Sequence, residues 1–150
     1  MNTEKVISPF QILDWRILSF NCTNPIVNIS YDIDHHWQLK AHIENLPQEG
    51  SVLRAMIHIE FHFYAELNGQ KLTMDGDCVA LCEMDSTSMT EADATFQSLL
   101  SRTGMTNCLA NLRVFLLQAG TLHQMGPKRV MLPFINLTHF SFDEMIEFTV

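Results

Sequence analysis

The chain has 150 residues, 47% of them hydrophobic, and 17 acids against 9 bases give a formal net charge of −8. Its length and apolar content suit a single domain over residues 1–150 with a packed core, while the charge argues against nucleic acid or an anionic lipid surface as a partner. No apolar run approaches the roughly 18 residues of a membrane span, and the opening MNTEKVISPF lacks a cationic-then-apolar leader, so a cytoplasmic protein is expected.

Residues 10–20, FQILDWRILSF, carry the β-branched and aromatic content of a strand, broken by Asn21 to Pro25. In 29–43, Trp37, Leu39, Ala41 and Ile43 alternate with His36, Gln38, Lys40 and His42, which predicts a half-buried strand. ENLPQEG, 44–50, reads as a loop. Strict alternation then places Ile57, Ile59, Phe61 and Phe63 against His58, Glu60, His62 and Tyr64. Asn68-Gly69 tolerates the positive φ values of a type I′ turn and closes a hairpin whose return strand runs to about Met84, with a bulge expected at Asp75-Gly76-Asp77.

Period two then gives way to helical spacing. SMTE, 88–91, resembles a capping box with Ser88 as N-cap and Glu91 three residues on. A first helix is predicted from there to Gly104. A second spans about Asn107 to Gln124, with Leu109, Leu112, Phe115, Leu116, Ala119 and Leu122 as its apolar stripe and Gly126-Pro127 as its stop. The last 23 residues read as extended, with a short helix expected near Ser141 or Phe142. Strands first and helices second predict an α+β fold, an antiparallel sheet with helices on one face.

Candidate chemistry is sparse. His58 and His62 would sit side by side on a helix, but on a strand they lie about 13 Å apart, too far to share a zinc ion. The same spacing separates Cys78 from Cys82. The four cysteines, at 22, 78, 82 and 108, contain no C-x-x-C and are expected as reduced, packed thiols. A metal or hydrolytic enzyme built on Cys78, Cys82, His58 and His62 stays open as an alternative, as does a ligand set spread over several strands, such as His42 with a cross-strand neighbour. The sequence has no G-x-S-x-G, P-loop, G-x-G-x-x-G or H-E-x-x-H. No enzyme activity and no cofactor are expected. Nine methionines and several aromatic residues instead leave room for an adaptable apolar surface.

Four short segments in order resemble the SecB protein-export chaperone superfamily. FQILDWRILSFNCTNP is similar to that family's first strand, and HHWQLKAHI to its second, with Trp37-Gln38 as the shared dipeptide. VALCEMD resembles its Leu-Cys-Glu-Val run, here Leu81-Cys82-Glu83-Met84. LPFINLTHFSFDEMI resembles a segment in which Asn-Leu, here Asn136-Leu137, precedes a Phe-Asp, here Phe142-Asp143, that opens a last helix. The likeness covers about residues 10–148. It implies a four-stranded antiparallel meander with a long helix and shorter helices on one face, self-association into a dimer or tetramer, and the holding of unfolded or extended polypeptide by apolar contact, without a cofactor. On this reading Trp37, Leu39, Phe134 and Phe140 form the client surface.

The resemblance further implies contact between Leu81 and Glu83 and a translocase ATPase. Ile17 and Asn21, however, stand where the family's first strand carries acids, and Met89 to Thr103 replaces a Gly-rich connection. These departures resemble a divergent branch, such as the SecB-like proteins of Gram-positive bacteria. A scaffold that kept the fold and serves one folded partner is the other non-enzymatic alternative.

Overall fold

The computed structural model describes residues 7–25, 33–122 and 131–150. Strand β1 runs Phe10–Thr23, β2 His36–Glu49, β3 Val52–Leu67 and β4 Gln70–Asp85. A helical stretch follows, made of α1 (Ala92–Leu99), a π turn (Leu100–Gly104) and α2 (Met105–Leu122); a 3-10 turn (Leu137–His139) and β5 (Ile146–Thr149) complete the chain. The five strands form one antiparallel sheet in the order β1-β4-β3-β2-β5.

Strand β3 sets the register of both faces. Leu53, Ala55, Ile57, Ile59, Phe61, Phe63 and Ala65 are all buried, while every residue between them is half-buried or exposed. Their β4 counterparts on the inward face, Leu72, Met74, Cys78, Ala80, Cys82 and Met84, are buried too. From α2, Leu109, Leu112, Leu116 and Ala119 bury against this face as the stripe requires. Phe115 stays half-buried and meets Phe20 of β1 edge-on at 5.1 Å. Asn68 and Gly69, with φ of 50° and 79°, make the predicted two-residue turn between β3 and β4.

Several expectations need correction. Among the described residues the sheet has five strands, not four, and it is not a simple meander. Strands β2, β3 and β4 are successive neighbours, but β1 pairs with β4 rather than with β2, and β5 adds to the outer edge of β2 where a last helix was expected. Asp143, at φ 64°, turns the chain away from a helical path, and Ile-Glu-Phe-Thr then alternates as a strand. The loop expected at 44–50 is instead the far half of β2, which tolerates Pro47 because its outer side carries no ladder there. One extra residue in Pro47-Gln48 is absorbed as a bulge opposite Leu53. Asp75-Gly76-Asp77 pairs with β3 without interruption; the other bulges lie in β1, at Leu13 and Leu18.

The capping box does not form. Ser88 has φ 63°, the N-cap is Glu91 at φ 53°, and neither side chain caps the helix. Gly104 does not end a helix either. A Cβ at Gly104 would lie 2.6 Å from Ile57 Cδ1, so the glycine serves close helix–sheet approach, and the π turn carries the chain straight into α2. Residues 29–32 of the predicted second strand, and the Gly126-Pro127 stop, fall outside the described residues.

Candidate functional site

The two faces of the sheet offer different chemistry. The open face carries His36, His42, His58 and His62, and the last three each bond a different carboxylate. His42 Nδ1 meets Asp143 Oδ1 at 2.6 Å, His58 Nε2 meets Glu44 Oε2 at 3.1 Å, and His62 Nδ1 meets Asp75 Oδ1 at 2.8 Å. His42 and His58 are cross-strand neighbours with rings 6.4 Å apart, yet they engage separate acids. Among the described residues no three His, Cys, Asp or Glu side chains converge as a metal site would need.

The cysteines face the other way. Cys78 pairs with Ile59 and Cys82 with Ala55 on the inward face, so neither can meet His58 on the open face. Burial, with the Asp77 charge nearby, pushes the Cys78 thiol up to about 12, and burial pushes Cys82 up to about 11. Cys108 is raised by burial and by the other two thiols. Thiols held neutral in this way are poor nucleophiles and poor metal ligands.

An apolar trough lies between one side of α2 and the segment 133–137. Thr106, Leu109, Ala110 and Arg113, at helical spacing, form one wall of this trough of about 100 Å³; Pro133, Phe134, Ile135 and Leu137 form the other. Arg113 fixes the geometry. Its Nε donates to the Leu132 carbonyl at 2.6 Å, and its guanidinium carbon lies 3.8 Å from the centre of the Phe134 ring. The ring is thus held on one side by a cation, while the side chain remains 86% exposed. Val114, one turn beyond Ala110, is 58% exposed.

The four residues expected to form the client surface therefore separate. Phe134 is open. Phe140 is half-buried and packs edge-on against Phe142 at 5.4 Å. Trp37 and Leu39 are buried and present no open surface, because their side of β2 faces the core and β5 runs alongside. Alternation revealed that these two share a face but not that the face is covered. Leu81 and Glu83 lie on the open face, Leu81 half-buried and Glu83 bonded to Arg54 Nε at 3.0 Å. Sequence reasoning singled out Phe134, and Leu109 as part of the helix stripe, but missed Arg113 and the rest of the trough walls; the signal available was Thr106, Ala110 and Arg113 at helical spacing along one side of α2.

The chain is α+β, with one antiparallel sheet and a long helix on one face, and its fold is SecB-like. Among solved structures it is similar to the Mycobacterium tuberculosis Rv1957 SecB-like chaperone in complex with a ChAD peptide from the Rv1956 HigA1 antitoxin. That match has 17% identity and a TM-score of 0.60, and covers 85% of this chain and 88% of the other. Comparison with family models and with curated proteins gives no match. Among the described residues, no helix is long and apolar enough to cross a membrane.

Proposed function

We propose that this protein is a non-enzymatic, SecB-like chaperone that holds extended or unfolded polypeptide by apolar contact. The observation that carries the reading is the trough along α2, with Phe134 fixed by Arg113 and left open to solvent. An aromatic side chain held this way loses little freedom when a client covers it. Its full burial contributes about 1.5–3 kcal/mol with little demand on client sequence. The solved SecB-like relative was captured with a peptide from an antitoxin, which supports a polypeptide as the ligand class. Holding is the step proposed, rather than delivery to a translocase ATPase, because Glu83 is already taken by Arg54 and because Ile17 and Asn21 stand where the SecB resemblance implies acids. Self-association belongs to the same reading: Leu13 and Leu18, at the β1 bulges, are each more than half exposed and suit cover by a second copy.

The test is light scattering of an aggregating, chemically unfolded client. Suppression at a few-fold molar excess is expected, and Phe134→Ala should weaken client affinity by about tenfold or more while leaving the melting temperature nearly unchanged. No suppression at any excess would remove the proposal. One stoichiometric folded partner in a pull-down, without affinity for unfolded chains, would favour the scaffold alternative.

A further inference from the structure

Strand β5 lies where an added chain would lie. It runs antiparallel to β2 in a register that pairs Thr149 with His36, Phe148 with Trp37, Glu147 with Gln38 and Ile146 with Leu39. Just beyond, His35 and Val150 exchange both backbone bonds, at 3.0 and 2.8 Å. Ile146 and Phe148 fall beside the buried Leu39 and Trp37, and Phe148 packs on the core. On the other face the Gln38 amide donates to Glu147 at 2.8 Å, and His36 Nδ1 meets the Thr149 hydroxyl at 3.0 Å.

We propose that the His36–Leu39 edge of β2 is a docking site for an extended polypeptide segment added as an antiparallel strand, and that β5 is the chain's own occupant of that site, displaced when a client binds. This rests on the polypeptide-holding function proposed above and adds where the client backbone is held and what must leave. The two outer edges of the sheet differ in the way this requires. The β2 register is unbroken from His36 to Leu46, whereas the outer edge of β1 carries two bulges that interrupt a regular ladder.

The occupant is lightly held. It contributes four residues to the ladder, none of them fully buried. A latch precedes it: the Asp143 N–H donates to the Ala41 carbonyl at 2.8 Å, and its carboxylate takes His42. Both side chains of that pair are more than half exposed, and exposed pairs of this kind hold weakly. Backbone bonds supply affinity at such an edge, and alternate side chains supply preference. The preferred client is therefore a segment with apolar residues at alternate positions, patterned like Ile-Glu-Phe-Thr. Removing β5 uncovers the outer side of Trp37 and Leu39, which makes them available to the client's side chains. The Trp37 indole N–H is buried without a hydrogen-bond partner among the described residues, as suits a pocket completed by another chain.

A reversible lock tests this. Gln38 and Glu147 form a non-hydrogen-bonded pair, the geometry in which Cβ atoms approach closely enough for a disulfide. The full chain carrying Gln38→Cys and Glu147→Cys, with Cys22→Ser to remove the least buried native thiol, is assayed oxidised and reduced. The probes are a permanently unfolded, carboxymethylated protein and a synthetic peptide with the sequence of residues 141–150. The oxidised form should bind both at least about tenfold more weakly than the reduced form. Asp143→Ala, which opens the latch, should bind both roughly two- to fivefold more tightly than the unaltered chain. Equal binding by oxidised and reduced forms, or weaker binding by Asp143→Ala, overturns the displacement while leaving the holding function in place. Failure of the unaltered chain to bind either probe overturns both.

Discussion

Gly76 has no room for a side chain. A Cβ there would lie 2.4 Å from the Ser19 carbonyl oxygen and 2.7 Å from Phe61 Cζ, atoms of a paired strand and a fully buried ring that cannot step aside. Gly76→Ala should therefore cost about 1–3 kcal/mol, the penalty of overpacking a close-fitted interior. Gly104→Ala should cost less, because the atom it meets is the terminal methyl of Ile57, which has other rotamers. Chemical denaturation of the two variants checks the order. The buried thiols give a second test at this scale. Folded Cys78 and Cys82 are raised above the ordinary thiol value of 9.0. The stability they contribute is full below that value and is lost as pH climbs from about 9 towards 11–12. Denaturation midpoints should hold from pH 7 to 8.5 and fall steadily above pH 9, and serine at both positions should flatten that alkaline loss. Such residue-level facts are only partly legible in sequence. Period two assigned Trp37 to the same face as Leu39, but the cover over that face comes from residues a hundred positions away.

Elements specified by neighbouring residues were readable, and those specified at a distance were not. The hairpin of β3 and β4 follows from alternation and from Asn68-Gly69, all within one stretch of chain. The α2 stripe follows equally from local spacing, and its burial can be tested one residue at a time. Leu112, fully buried, should cost about 2–5 kcal/mol as alanine. Val114, exposed on α2, should stay within about 0.5 kcal/mol. By contrast, β5 exists because β2 has a regular free edge, and its pairing joins positions 36 and 149. The Ile-Glu-Phe-Thr alternation was present, but four residues cannot outweigh a helix-like context without knowledge of that edge. The capping box failed for a related reason. Ser88 and Glu91 have the right identities, but the exit from β4, where Ser86 donates to the Ser51 carbonyl and Met89 to the Ser86 carbonyl, turns the chain through left-handed residues first.

For the molecule as a whole, the α+β class was legible because four of the strands and a long helix are each locally encoded. The order β1-β4-β3-β2-β5 was not, because β1 pairs with a strand about fifty residues or more further on. Nor was the trough, because it forms between one helix side and a segment about twenty residues or more further on. The charge balance sets the remaining behaviour. With 17 acids against 9 bases, the surface attracts basic chains from beyond contact range and repels acidic ones. The trough itself is apolar, and Arg113 is committed to Leu132 and Phe134. Attraction at a distance and retention on contact therefore have different origins in the proposed holding function. Raising the salt from about 50 to 200 mM shortens the screening length to below about 10 Å. The association rate of a basic unfolded client should then fall several-fold, and that of an acidic client should rise or stay level. Dissociation rates of both should change little, since apolar contact governs them. Stopped-flow fluorescence with two unfolded clients of opposite charge separates the two effects. An association rate indifferent to salt for both clients would show that the acidic surface plays no part in capture.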